Sequence, residues 1–115
     1  MDNKQFSKLL EKRTRDFGVR IIRLSVSLPN TPEGREIRRQ ITKSGTSIGA
    51  NYREANRARS KADFKSKIRI CEGEASETQY WLEVTNEVGW LSVNDFRAYF
   101  DECAQLLALF TSIHH

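Results

Sequence analysis

The sequence has 115 residues and a net charge of +4, with 38% hydrophobic and 30% charged residues. This length is enough for one hydrophobic core, and no apolar run reaches the roughly 18–20 residues of a membrane span. The N-terminal stretch MDNKQFSKLLEKRTRDF is charged from its first turns, unlike a secretory signal. We therefore expect a single cytoplasmic domain, residues 1–115, with no membrane partner.

Apolar residues recur at helical spacing in four segments, which predict helices at about 3–28, 32–57, 61–88 and 93–112. The first predicted helix ends where Pro29 cannot continue it, and the second opens with Thr31 as N-cap and Pro32 at its first position. The apolar stripe of the first helix contains Phe6, Leu9, Leu10, Phe17, Ile21, Leu24 and Leu28. That of the second contains Ile37, Ile41, Ile48, Tyr52 and Ala55.

The third segment has the clearest pattern, a heptad seam in which apolar or small residues alternate by four and three. Its members are Phe64, Ile68, Cys71, Ala75, Thr78, Leu82 and Thr85. Capping boxes are predicted at Ser60 and Ser92, and Gly89 is placed to end the third helix. The stripe of the fourth helix contains Phe96, Phe100, Cys103, Leu107 and Phe110. Because the connections are short, the pattern predicts an all-α, antiparallel up-down-up-down four-helix bundle.

The turn after the second helix fixes which residues of helices 2 and 3 lie at the same level. Folding the chain back near Arg59 places Gly45 near Glu74, Ile48 near Cys71 and Tyr52 near Lys67. We expect four small residues of helix 2 to let these two backbones approach closely, namely Gly45, Ser47, Gly49 and Ala50. The same construction about Gly89 places Cys71 and Cys103 about 10 Å out of level, so no disulfide is expected between them.

Two stretches around this turn, SGTSIGANYREANRARSKADF and KIRICEGEASETQYWLE, resemble the 23S ribosomal RNA intervening-sequence proteins. The resemblance is carried by residues 44–83, about a third of the chain. It implies a bacterial four-helix bundle that assembles as a homopentamer. A related group, the accessory proteins of diversity-generating retroelements, implies nucleic acid and a reverse transcriptase as further partners. Most members of the family have no established biochemical role.

Enzyme chemistry finds little support in the sequence. A di-iron bundle needs Glu-x-x-His pairs, whereas Glu74 and Glu77 have no histidine near them. His114 and His115, at the C-terminal end, are the only histidines and are assigned no chemistry. No internal base can therefore activate a serine or cysteine, and TKSGTSIGAN lacks the ending of a P-loop. We expect no catalytic residue, no metal and no cofactor.

The polar residues near the helix 2–3 turn allow two interpretations. In the structural one, Asn51 and Glu74 hydrogen-bond across the helix pair and fix its register. In the functional one, at least one of Arg53, Arg57 and Arg59 contacts phosphate, which guanidinium groups bind through two parallel hydrogen bonds.

Charge is divided unequally along the chain. Residues 1–69 contain 18 Lys/Arg and 7 Asp/Glu, a net charge of +11, whereas residues 70–115 contain 1 and 8, a net charge of −7. Helix 3 has its bases first and its acids last, which is unfavourable for the helix dipole. An acidic face that meets a basic face on the next copy, head to tail in a closed ring, would account for this order.

Two sets of candidate residues follow. The candidate subunit-interface or structural-network residues are Asn51, Tyr52, Glu74, Glu77, Tyr80 and Trp81. Tyr80, Trp81 and Trp90 are the expected anchors, although burial in the core of one chain explains them equally well. The candidate nucleic-acid-binding residues are Lys12, Arg13, Arg20, Arg35, Arg38, Arg39, Arg53, Arg57 and Arg59.

The sequence therefore favours a non-enzymatic homo-oligomer that binds RNA or other nucleic acid through a basic surface, with weak sequence preference and strong salt dependence. The alternative is a protein–protein scaffold whose charge asymmetry serves only self-assembly or a protein partner. Solvated helix faces would also explain the basic residues.

Overall fold

The computed structural model describes residues 1–114, with only the backbone of His114. This part of the chain forms four helices and no strand: α1 (Asn3–Val26), α2 (Pro32–Ala55), α3 (Lys61–Glu87) and α4 (Val93–His114). Consecutive helices contact each other extensively, whereas α1 and α4 approach closely at few points. The predicted all-α antiparallel bundle is confirmed, and each predicted helix end lies within two residues of the observed one. The expectation that His114 and His115 have no chemical role concerns side chains outside the described part of the chain.

Side chains cap the first turns of the helices. Ser60 and Ser92 each accept a hydrogen bond from the amide of the aspartate three residues on, at 3.0 and 3.1 Å. The return bond of a full capping box is absent from both sites, because aspartate is one methylene shorter than the glutamate or glutamine this motif uses. A reciprocal box does form at α1, where Asp2 and Gln5 bind each other's amides.

Glycine ends α3 as the sequence predicts. Gly89 has a φ of 82°, in the left-handed region that residues with a side chain rarely adopt. Its amide donates to the carbonyl of Asn86, and the amide of Trp90 donates to that of Thr85. These two bonds form a Schellman motif, which satisfies carbonyls at the helix end and turns the chain towards α4.

The heptad seam of α3 is at the centre of the core. Of its seven predicted members all are buried except Phe64, which is half-buried against the core. The thiol of Cys71 donates to the carbonyl of Ile48, as the predicted pairing of helices 2 and 3 requires. Thr78 donates to the hydroxyl of Ser44 at 2.9 Å, and both residues are fully buried. This bond links α2 to α3 where an unpaired hydroxyl would be costly.

The small residues of α2 serve a different contact from the predicted one. A Cβ at Gly45 would lie 2.8 Å from Cγ2 of Ile21, and one at Gly49 would lie 3.2 Å from Oγ1 of Thr14. Both neighbours belong to α1, so Gly45 and Gly49 serve the contact of α2 with α1, not that of α2 with α3. The error arises because a turn relates only the two helices it joins, whereas Gly45 and Gly49 face the preceding helix.

In α1 and α4, the predicted apolar stripe includes a residue that is not fully buried and omits a residue that is. Leu9 is 52% exposed, and Thr14 is buried in α1 with its hydroxyl donating to the carbonyl of Leu10 at 2.9 Å. In α4, Leu106 is fully buried whereas the predicted Leu107 is only partly so. Leu9 and Leu107 each lie one position, about 100° around the helix, from a buried leucine, whereas Thr14 was missed because its side chain is polar.

The seam between α1 and α4 is bridged by long polar side chains. Arg13 donates two hydrogen bonds to the carboxylate of Glu102, at 2.6 and 2.7 Å, and a third to Gln105. The hydroxyl of Tyr99 donates to the carbonyl of Arg20, and the Arg20 guanidinium lies 4.9 Å from the centre of the Tyr99 ring. The hydrogen bond from Arg13 to Glu102 raises the pKa of the arginine, which keeps this pair charged.

Both cysteines are free and fully buried. The thiol of Cys103 donates to the carbonyl of Ala75 at 3.2 Å, which links α4 to α3. Burial raises the pKa of Cys71 and of Cys103 to about 12. Since thiolate is the reactive form, both side chains should behave as small core residues.

The first expected outcome concerns two glycines in helix interiors. Gly45→Ala should destabilise the fold by about 1–3 kcal/mol, because the new methyl group meets the buried Ile21. Gly73→Ala is the matched control: a Cβ there meets nothing within 4 Å, so the higher helix propensity of alanine should stabilise by about 0.5–1 kcal/mol. Urea unfolding followed by circular dichroism measures both. Equal stabilisation by the two substitutions would contradict the close α1–α2 contact.

The second concerns the thiols. At about pH 8 a thiol-specific chromogenic reagent should label neither cysteine until the chain unfolds, and both at once in denaturant. Because the folded pKa is raised above the ordinary value of 9.0, the stability from neutral buried thiols is complete below pH 9.0 and is lost as the pH rises towards 12. Rapid labelling of the native protein would show that the cysteines are accessible.

Candidate nucleic-acid interface

The nine predicted nucleic-acid-binding cations differ in whether they form hydrogen bonds or ion pairs with other groups of the chain. Lys12 binds Asp16 at 2.7 Å and Arg39 binds Glu36 at 2.8 Å, in both cases one turn apart on an exposed helix surface. The hydrogen bonds from these cations lower the pKa of Asp16 and of Glu36. Lys12 and Arg39 therefore lie on the surface with their charge partly balanced. Arg13 and Arg20 belong to the α1–α4 seam.

Arg38 has a structural role that its sequence context did not predict. Its Nη2 donates to the carbonyls of Val26 and Leu28, at 3.2 and 2.6 Å, and so caps the C-terminal end of α1 from α2. Its Nε is buried without a hydrogen-bond partner in the described part of the chain. A cation at a helix C-terminus is favoured by the helix dipole. Nη1 of the nearby Arg35 donates to the carbonyl oxygen and to Oδ1 of Asn30, at 3.5 and 3.3 Å.

Two more cations, one near the end of α2 and one in the first half of α3, have carboxylate partners. Nε of Arg53 lies 3.9 Å from Glu11, which also accepts a hydrogen bond from Asn56 at 2.8 Å. Lys67 binds Glu54 at 3.0 Å across the α2–α3 pair, and this hydrogen bond raises the pKa of the lysine.

The remaining predicted cations, Arg57 and Arg59, lie in the turn between α2 and α3. The antiparallel geometry brings Lys61 and Lys65 of the first turns of α3 beside them, and all four side chains are exposed. Within residues 1–114 none of these four side chains has a hydrogen bond or an ion pair. We call these four residues the basic end. The sequence placed Lys61 and Lys65 in a basic half-helix but did not include them in the site.

A carboxylate-rich surface lies on the outward side of α3, farther along the helix. Ile70, Gly73, Glu77 and Tyr80 are spaced at helical intervals along this side, all are exposed, and Tyr80 is 57% exposed. Exposed carboxylates continue towards the end of the helix. We call this surface the acidic face; its carboxylates are Glu74, Glu77, Glu83 and Glu87.

The predicted interface residues fall into two groups. Tyr52 is buried and its ring lies 5.7 Å from that of Phe110, so it is a core residue. Asn51 donates to the carbonyl of Ser47 within its own helix. The side chain of Glu74 has no hydrogen bond to Asn51 in the described structure, and the buried bond between hydroxyl groups of α2 and α3 is that of Ser44 and Thr78.

The other group lies at the acidic face. Tyr80 packs edge-on against Trp81, with ring centres 4.9 Å apart. The indole nitrogen of Trp81 donates to Glu77 at 3.2 Å, while the rest of its ring is packed against the core. Trp90 is also partly buried against the core. Tyr80 is thus the aromatic side chain most available to a partner.

A shallow apolar groove of about 240 Å³ lies on the outer side of α1 and α2. Gly18 and Gly49 line it, and Val19 and Ile22, 42% and 46% exposed, form part of its apolar lining. Arg15 and Arg53 also line it. We call this surface the α1–α2 groove; it combines exposed apolar groups with positive charge.

The described residues contain no group of three or more histidine, cysteine or acidic side chains placed to hold a metal ion. Among them, no helix has the length and hydropathy needed to span a bilayer. The surfaces with distinct chemistry are therefore the basic end, the acidic face and the α1–α2 groove.

Comparison with known proteins gives a consistent result. A crystal structure of a protein with unknown function from the S23 ribosomal protein family of Bacteroides thetaiotaomicron superposes with a TM-score of 0.87 and 35% sequence identity, over 94% of this chain and 96% of the other. The curated proteins include no match. Residues 9–112 match the family described as 23S rRNA-intervening sequence protein. The chain belongs to the 23S rRNA-intervening sequence protein family.

Proposed function

We propose that this chain is a non-enzymatic, homo-oligomeric cytoplasmic protein that binds RNA, or another nucleic acid, through the basic end. The observation that carries the proposal is the clustering at this end of four exposed cations without a partner among the described residues, whereas several of the other predicted binding residues are already engaged. Arg13 and Arg38 bind groups of a neighbouring helix or its end, and Lys12 and Arg39 are paired with carboxylates.

The basic end differs in having four exposed cations with no partner in residues 1–114. Four like charges brought together by a turn repel one another, and an anionic ligand would relieve that repulsion. Phosphate groups along a nucleic-acid backbone supply several anions at close spacing, and their binding releases counterions. RNA is the first ligand to test because the family description refers to 23S rRNA.

Self-association is supported by the complementarity of two surfaces on different sides of the bundle. The α1–α2 groove offers Val19 and Ile22 beside arginines, and the acidic face offers Ile70 and Tyr80 beside carboxylates. A contact between different surfaces of identical copies is heterologous and closes into a ring when the rotation allows it. The number of copies implied by the family resemblance is five.

The alternative function is a protein–protein scaffold with no nucleic-acid role. Tyr80 and the acidic face favour it, since exposed aromatic residues are enriched at protein interfaces. A protein partner, such as a reverse transcriptase, would then bind by surface complementarity. Nucleic-acid binding by the purified protein separates the two functions.

The expected result is salt-dependent binding of RNA that depends on the basic end. In filter binding, Arg57→Gln with Arg59→Gln should weaken affinity and reduce the slope of log affinity against log salt by about 1–2. Lys12→Gln with Arg39→Gln removes the same charge from paired sites and should have a smaller effect. Equal effects of the two double variants would argue against the basic end. Absence of RNA binding at low salt would favour the scaffold.

The proposed contact between copies leads to a separate prediction. Light scattering should show an oligomer for the unmodified protein and monomers for Ile22→Asp and for Tyr80→Asp, since each blocks one side of the contact. An equimolar mixture of these two variants should form a heterodimer, because each retains the surface that the other has lost. Val93→Asp, at another exposed apolar residue, is the control and should remain oligomeric. A monomer of the unmodified protein at both low and high salt rules the ring out.

A further inference from the structure

A cleft of about 430 Å³ opens at the same end of the bundle as the four free cations. The cleft is open to solvent and lies between the end of α2, the start of α3 and the last turn of α4; its apolar lining includes Ala55, Ala58, Phe64 and Ile113. Phe64 is partly buried against the core, so its ring is held in place while part of it is accessible. The volume falls within the roughly 300–1,000 Å³ of small-molecule sites.

Cations also line this cleft. Arg59, Lys61 and Lys65 line it together with Phe64, and all three are exposed and without a partner in the described structure. Lys67, just beyond, is occupied by Glu54. The cleft therefore combines an aromatic ring and aliphatic groups with three positive charges that no carboxylate of the described chain neutralises.

A ligand that matches this arrangement has a flat apolar group with anions on either side of it. A nucleotide within a single strand has this chemistry, because its base offers a π face and the phosphates before and after it carry charge. In a duplex the base is stacked and paired, so its π face cannot reach an aromatic side chain of the protein. An acidic peptide supplies the charges, but its carboxylates offer nothing to the ring of Phe64.

We propose that the cleft at the basic end binds the base of an unpaired nucleotide against Phe64, while Arg59, Lys61 and Lys65 contact the adjacent phosphates. This inference rests on the proposed nucleic-acid binding and makes it more specific. The protein would then bind nucleotides in single strands or loops in preference to paired ones. A surface that contacts only the phosphates of the nucleic acid would instead bind duplex and single strand with affinities set by the number of phosphates.

The test compares three RNA ligands with equal numbers of phosphates and the unmodified protein. These are a short single strand, the same strand with its bases removed, and a duplex. The intact single strand should bind at least about five-fold more tightly than the abasic strand, as base–aromatic stacking provides. A fluorescent adenine analogue in the intact strand should be quenched when it stacks in the cleft.

Two variants locate the effect. Phe64→Leu keeps an apolar side chain but removes the ring, and should abolish most of the preference for the intact strand while leaving duplex binding unchanged. Phe96→Leu changes a partly buried aromatic residue at the start of α4, at the opposite end of the bundle, and should leave the preference intact. Lys65→Gln should weaken all RNA ligands together, since it removes a phosphate contact.

The outcomes separate this inference from the proposed function. If none of the three RNA ligands binds, the proposed function fails and the inference fails with it. If the abasic and intact strands bind equally, nucleic-acid binding stands and the base-binding cleft is refuted. Displacement of RNA by polyglutamate with no dependence on bases would also refute it, by showing that the cleft recognises charge alone.

Discussion

The close approach of α1 to α2 is the constraint on which the remaining architecture depends. It is possible because Gly45 and Gly49 have no side chain where Ile21 and Thr14 of α1 come against them. With α1 held to α2, the opposite seam to α4 has few close contacts, and long side chains bridge it. Arg13 and Arg20 fill that role, so two cations that look available in the sequence are engaged at the seam between α1 and α4.

The distribution of free charge follows from the same architecture. Arg38 is drawn onto the carbonyls that end α1, and exposed cations such as Lys12 lie one turn from a carboxylate. At the α2–α3 turn the carboxylate of Asp63 forms no ion pair with the four cations in the described structure, and its amide helps to cap α3. Four cations without a partner in the described chain are therefore clustered at one end of the bundle, while carboxylates dominate the outward side of α3.

Much of the fold could be predicted because its determinants are local. Caps such as Thr31, the stop at Gly89 and the seven-residue repeat of α3 all act within a few turns of sequence. The pairing of α2 with α3 was predictable from the turn that joins them, as the contact of Cys71 with Ile48 shows. The partner of Gly45 was not, because a small residue indicates a close approach without indicating which helix approaches.

The candidate site was predictable only in part for a related reason. A run of arginines shows that charge is present, but whether each is engaged depends on side chains far away in sequence, such as Glu102 for Arg13. The same limit applies to Asn51 and Glu74, whose proposed bond is replaced by that of Ser44 and Thr78. Polar partners across a bundle depend on rotation of each helix about its axis, and adjacent positions differ by about 100°.

The three connections, residues 27–31, 56–60 and 88–92, are each five residues long. Hairpins of consecutive helices can therefore form from neighbouring parts of the chain with little loss of loop entropy, which favours rapid folding. The α1–α4 joint is the exception, since it brings together segments about 90 residues apart, as in the bond of Arg13 to Glu102. We expect this joint to close last during folding and to be the first to open in the native state, where amide hydrogen exchange would reveal it as the least protected edge.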